Sequence, residues 1–252
     1  MSSYEAITAL EPALPRESIY EKLGARTLDK ISTAPPAPLL LDRLDPTDTT
    51  LLYGKGSIGK GTLSDYWMGR LEREHGMRIA ILDYENHPEE WARRYFGLFG
   101  QVSSNILHVA PTGHDWKGTS GPIWEQVEDL GTLLTEFRAD YLLIDSVVFA
   151  CGNQDALKAE TPAQYNSALT KLGLPSLSIA HVVKDSNLEY PFGSVFWHNG
   201  ARLTWSLGRE NGKVLLVNRK ANNYATTPKH VIDITWLDGL PREVREEGYV
   251  TV

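Results

Sequence analysis

From Thr49 onward the chain switches repeatedly between two hydrophobic periods. Leu51-Leu52-Tyr53, Ile79-Ala80-Ile81-Leu82, Ile106 to Ala110, Tyr141-Leu142-Leu143-Ile144 and Leu177 to Ala180 are short apolar runs. Between them, apolar positions recur three and four apart: Leu63, Trp67 and Leu71; Trp91, Tyr95 and Phe99; Ile123, Val127, Leu130, Leu134 and Phe137. Unbroken short runs suit strands buried on both faces, and the wider spacing suits helices with one apolar face. The pattern predicts helices over about 59–74, from Pro88 and from Pro122. At the second of these, Pro88 sacrifices no bond, and Glu89 and Glu90 face the positive end of the helix dipole. Strands alternating with helices mean a parallel sheet with right-handed crossovers.

The end of the chain reads differently. Leu203, Trp205 and Leu207 alternate, Asn211-Gly212 is a hairpin turn, and Val214 to Val217 runs back. Val231, Ile232 and Ile234 suggest one more strand. The expected class is therefore α/β, with a mostly parallel central sheet that finishes in an antiparallel hairpin. Ala34-Pro35-Pro36-Ala37-Pro38 cannot be helical. A lead helix is expected over about 16–31, with Ile19, Tyr20, Leu23 and Leu28 as its apolar positions. This divides the chain into a lead helix and proline linker over 1–38 and one domain over 39–252.

Composition narrows the class. At 252 residues and 42 % hydrophobic, the chain fits one α/β domain with a small extension. No apolar run approaches the ~18–20 residues that cross a bilayer, and the N-terminus lacks a basic region followed by an apolar stretch. Cys151 is the only cysteine, so an internal disulfide and a cysteine-rich zinc site are both excluded. A cytoplasmic protein with no membrane association is expected. The net charge of −7 confines any nucleic-acid contact to a local patch.

Gly54-Lys55-Gly56-Ser57-Ile58-Gly59-Lys60-Gly61-Thr62 fits the phosphate-loop pattern G-x-x-x-x-G-K. Its glycines let backbone N–H groups curl around a phosphate, the following helix points its positive end at the anion, and Lys60 reaches the β- and γ-phosphates. At a background glycine frequency of about 7 %, the bare string arises in roughly one random chain in fourteen. Its place between an apolar strand and an amphipathic helix is what carries the assignment. One residue departs: Gly61 stands where a Ser or Thr normally binds Mg²⁺, and Thr62 follows one place later. Either Thr62 substitutes, or the metal is held by water and a carboxylate.

Asp145 ends the Tyr141–Ile144 run, as the second phosphate-loop signature requires, and its acid holds the Mg²⁺ shell. Glu85 follows the Ile79–Leu82 run in Asp83-Tyr84-Glu85-Asn86 and is the expected polariser of the attacking water, with Asp83 as its competitor. His181 ends the Leu177–Ala180 run, where it is expected to sense the γ-phosphate.

The order of phosphate loop, Asp83-Tyr84-Glu85-Asn86, Leu142-Leu143-Ile144-Asp145-Ser146, Ile179-Ala180-His181-Val182-Val183-Lys184, Phe192-Gly193-Ser194 and Val217-Asn218-Arg219-Lys220 resembles the RecA-like P-loop ATPases of the RepA and DnaB helicase type. It looks especially like short phage and plasmid versions described as RecA-like recombinases or helicases. The resemblance covers about 39–234. It implies ATP and Mg²⁺ as ligands, Glu85 as the catalytic glutamate, Asp145 as the magnesium-shell acid and His181 as the residue coupling nucleotide to DNA. It implies loops after Val148 and Val183 that face single-stranded DNA, with Lys158 and Lys184 as the nearby cations. Arg219 and Lys220 match the basic pair that reaches a neighbour's γ-phosphate, although the family often spaces that pair as Lys-x-Arg. The segment before Leu39 is too short for the family's N-terminal primase-binding domain. The family implies rings, commonly hexamers, with a loader or other replication partner.

Three other readings stay open. A recombinase or annealing factor uses the same core as a helicase. A nucleotide-binding scaffold or loader ring with little hydrolysis is motivated by Gly61 and the irregular basic pair. A partitioning ATPase is suggested by Lys55, which stands as the first lysine does in the variant loop Lys-Gly-Gly-x-Gly-Lys-Thr, although Ser57 and Gly61 depart from it.

Overall fold

The computed structural model describes residues 22–152, 154–182, 190–191, 193, 195–226 and 228–248. Met1–Pro36 and Ala37–Val252 are two compact units. In the first, the expected lead helix does not continue to Ile31. Gly24 turns the chain at φ 65°, and only a single 3-10 turn, Leu28–Lys30, follows. Ile19 and Tyr20 lie outside the described residues.

The second unit is built on one sheet that, among the described residues, has nine strands. These are β1 (Thr49–Gly54), β2 (Ile79–Asp83), β3 (Ile106–Val109), β4 (Tyr141–Asp145), β5 (Ser176–His181), β6 (Leu203–Glu210), β7 (Lys213–Ala221), β8 (Lys229–Leu237) and β9 (Leu240–Gly248). Their spatial order is β3-β2-β4-β5-β1-β6-β7-β8-β9. β3 through β6 in that order run parallel, and β6 through β9 continue as an antiparallel meander. The expected Asn211-Gly212 turn is present in the meander, and Asp238-Gly239 makes a second, unexpected one. Asn211-Gly212 and Asp238-Gly239 hold positive φ at both central residues, the geometry that matches strand twist in a two-residue hairpin.

Helices cover both faces of the sheet. α1 (Lys60–His75), α2 (Pro88–Phe99), α3 (Val127–Phe137), the single turn α4 (Val147–Ala150), α5 (Glu160–Leu172) and α6 (Phe196–Gly200) complete the unit. The apolar strand runs split by alternation, as period 2 demands. Leu52, Ile79, Ile81, Tyr141, Leu143, Leu177 and Ile179 pack with Leu63, Trp67, Leu71 and Trp91 of α1 and α2. Leu51, Tyr53, Ala80, Leu82, Leu142, Ile144 and Ala180 pack with Leu130, Leu134, Tyr165 and Leu169 of α3 and α5.

The helix expected from Pro122 is interrupted. Ile123–Glu125 is a 3-10 turn, and α3 begins only at Val127. The cause is Gln126, which is fully buried. Its side chain accepts from the Tyr84 hydroxyl at 2.8 Å and donates to the carbonyls of Pro111 and Thr119. Meeting those bonds sets the helix entry. Among the described residues no helix is long and apolar enough to cross a membrane.

Candidate functional site

The glycine loop leaves β1 between two parallel neighbours, β5 and β6. Gly54 passes so close to β6 that a Cβ there would stand 2.3 Å from the Leu207 carbonyl oxygen. Ser57 and Gly59 adopt left-handed φ of 57° and 103°, which curls the loop back over the start of α1. No side chain caps that helix, and its first turn carries no acid. Its first N–H groups and its dipole are thus left for an anion from outside the chain.

Lys60 opens α1 and is 6 % exposed. Its ammonium donates to the carbonyls of Gly54 at 3.0 Å and Lys55 at 2.9 Å, folded onto its own loop. Burial lowers its pKa, against the opposing charges of Asp145 and Glu85. The lysine is therefore within electrostatic reach of both acids.

Those acids stand at the same edge of the sheet, where β2, β4 and β5 end. Asp145 is buried, and its pKa is pushed up to about 7 by burial first, then by the charges of Asp83 and Glu85. Asn86 donates to its Oδ2 at 3.3 Å. The Asp145–Ser146 peptide bond is cis. His181, at the tip of β5, places Nε2 3.4 Å from Oε2 of Glu85 and Nδ1 3.5 Å from the Lys60 ammonium. The hydrogen bond with His181 holds the Glu85 carboxyl below the usual carboxylate range, against burial.

The geometry separates Glu85 from Asp83. Asp83 Oδ1 accepts from the backbone amides of Glu85 and Asn86 at 2.8 and 2.7 Å, and its Oδ2 accepts from the Trp91 indole. The two amide bonds brace the turn that presents Glu85, while Oδ2 also stands 3.4 Å from His108 Nε2 on β3. Glu85 itself keeps 34 % of its side chain exposed.

Two hollows flank this cluster. One of about 580 Å³ lies between Ser57–Gly59 and the meander, lined by Val214, Ile234 and Trp236 with Arg209, Lys213 and Arg245. No local pattern announces it, because it depends on β8 folding back against the loop. The other, about 600 Å³, opens beyond Glu85 toward His108 and Trp116.

The fold finds a counterpart among solved structures. A KaiC-like protein from the hyperthermophilic archaeon Pyrococcus horikoshii matches with a TM-score of 0.60, over 81 % of this chain and 90 % of that one, at 17 % identity. The fold is RecA-like. No protein-family model matches the chain, and no curated protein matches it in sequence.

Within this RecA-like frame the other expected site residues separate. Arg219, on β7, donates from Nε to Ser206 Oγ at 2.9 Å. Lys220 places its ammonium on the carbonyls of His198, Asn199 and Ala201, at 3.2, 2.9 and 2.7 Å, where the short helix α6 ends. Burial and the charge of Arg202 lower its pKa. Lys158 is exposed in the turn between α4 and α5. Lys184, Phe192, Ser194 and the loop after Val183 lie outside the described residues.

Position 61 holds a feature the sequence did not disclose. A Cβ on Gly61 would lie 3.2 Å from Nη1 of Arg94, which reaches over from α2. Thr62 is buried, about 100° further around the helix. The two are therefore not interchangeable in direction.

Proposed function

We propose that this chain is a P-loop ATPase whose triphosphate site is the loop 54–62. The observation that carries the reading is the convergence of Lys60, Glu85, Asp145 and His181 around an uncapped helix start. ATP is the substrate. Its β- and γ-phosphates take the place of the two carbonyls that now hold the Lys60 ammonium, so binding exchanges neutral acceptors for charged ones. The hollow between the loop and the meander receives the nucleoside. Its apolar lining suits a base, and its rim cations suit the phosphates.

Glu85 is the group that orients and deprotonates the attacking water. It is ionised, partly exposed and braced from behind by Asp83. His181 contacts both Glu85 and Lys60, so it is placed to register whether a γ-phosphate is present. Asp145 fits the outer shell of a Mg²⁺ arriving with ATP, because it sits at the strand tip with one described hydrogen bond. The metal supplies charge neutralisation at the phosphates when bound.

The assembly we favour is a ring or filament of this chain, with a replication or recombination role on single-stranded DNA. Arg219 is the cation offered to a neighbour's site. A scaffold or loader with slow hydrolysis is the second reading, favoured by Gly61 and by the engagement of Lys220 within its own chain. Phosphate release from ATP, followed with and without single-stranded DNA over a range of protein concentration, tests the proposal. Turnover that rises steeply with concentration and is stimulated by DNA supports the motor. Binding without turnover supports the scaffold.

A further inference from the structure

The guanidinium of Arg94 is held more firmly than a surface ion pair requires. Its Nε donates to Asp65 Oδ2 at 2.6 Å, and Asp65 is 2 % exposed. Its Cζ lies 4.8 Å from the centroid of the Trp91 ring. Trp91 in turn donates to Asp83, the brace behind Glu85. The arginine is thus built into the same scaffold as the water-activating turn. Glu90 lies 3.8 Å from Nη1.

Two observations show that this cation is aimed at the phosphate loop. Nη1 stands 3.2 Å from where a Cβ at position 61 would be, directly after Lys60. Any side chain there would press on the guanidinium, so Gly61 and Arg94 form a matched pair. Nη2, meanwhile, is buried and has no hydrogen-bond partner among the described residues. A buried donor left unmet is costly. Pairing with Asp65 uses Nε and leaves Nη2 to find another acceptor. The charge of Arg94 also acts on Asp145 at the tip of β4.

We propose that Arg94 is a built-in cation of the phosphate site. It stands against the place a loop side chain at position 61 would take, and it binds the phosphate oxygens of a nucleoside triphosphate directly. A planar fork with several donors suits phosphate oxygens. The consequence is nucleotide binding with little need for a divalent cation. This rests on the reading of 54–62 as the triphosphate site.

The test is an equilibrium titration of the full chain with fluorescently labelled ATP, once in Mg²⁺ and once in EDTA. The expected result for the natural sequence is a Kd in EDTA within about threefold of that in Mg²⁺, since the fixed guanidinium supplies the charge. The variant for comparison carries both Asp65→Asn and Arg94→Gln, which keeps a buried polar pair without its charges. It is expected to lose about tenfold to hundredfold in EDTA, the worth of one charge-assisted hydrogen bond, and less in Mg²⁺. Binding by the natural chain that collapses in EDTA overturns the proposal, whether or not the variant folds. So does a folded variant with the natural chain's ratio of the two constants. Absence of binding in both buffers overturns the triphosphate site itself, and this inference with it.

Discussion

The imidazole Nε2 of His181 lies 3.4 Å from Oε2 of Glu85, joining the tip of β5 to the turn after β2. β4 lies between those two strands, so the pair spans the edge of the sheet above Asp145. The contact holds Glu85 in its ionised form, which a general base requires. Replacing Glu85 with Gln is expected to cut phosphate release by about 10²-fold or more, with ATP affinity retained. His181→Ala is expected to cut turnover less, because the carboxylate remains. Steady-state phosphate release and a binding titration check both. Unchanged turnover in Glu85→Gln would move the base elsewhere.

The basic pair on β7 is expected to divide its labour. Lys220 caps the end of α6, so Lys220→Ala leaves three carbonyls without their cation. Its melting temperature should fall. Arg219 makes one described bond, to Ser206, so Arg219→Ala should melt like the natural chain while turning over more slowly. If sites are shared between subunits, mixing Arg219→Ala with Glu85→Gln regenerates some intact sites. Activity of the mixture above the sum of its parts is the expected outcome. Strict additivity would remove Arg219 from the trans role.

Glu72 ties α1 to its neighbours, accepting from Ser103 at 2.8 Å, Tyr95 at 2.9 Å and Asn105 at 3.3 Å. Burial pushes its carboxyl up, but these bonds outweigh it and leave the pKa below its ordinary 4.5. A lowered carboxylate pKa contributes stability that is present above the ordinary value and lost as pH falls through the lowered one. Glu72→Gln should therefore destabilise the fold at neutral pH by less than ~1 kcal/mol, water screening most of the effect. The difference should vanish in acid. Denaturant melts at the two pH values give the answer.

Cys151 lies wholly buried beneath α4, and burial pushes its thiol up to about 12. The thiolate is the reactive form, so the native chain should resist alkylation at pH 8 and react fully once unfolded. The same reaction gives a fold check for every variant above. Rapid labelling of the native protein would show that the core around α4 opens.

Much of the sheet was legible because its strands are buried on both faces and read as unbroken apolar runs. The phosphate loop, Asp145 and His181 followed from where those runs end. The residues that eluded the pattern share a physical reason. β9 is a polar edge strand with only Pro241 and Val244 buried, and its signal was the Asp238-Gly239 turn rather than hydrophobicity. α5 buries mostly small or polar-edged residues, Thr161, Pro162, Tyr165 and Ala168 beside Leu169, so its stripe is faint. Gln126 looked like part of a helix face because its bonds run to residues distant in sequence. Arg94 belongs to the same class. Thirty-three positions separate it from Gly61, and nothing in local composition marks an arginine that fills the space a glycine leaves.

The most direct test of the central claim is a calorimetric titration of ATP into the natural chain and into Lys60→Ala, with phosphate release measured on the same samples. The account predicts that the natural chain binds and hydrolyses ATP, while Lys60→Ala keeps its fold and does neither. ATP binding by Lys60→Ala with the natural affinity would contradict it, since the triphosphate would then lie somewhere other than the loop 54–62.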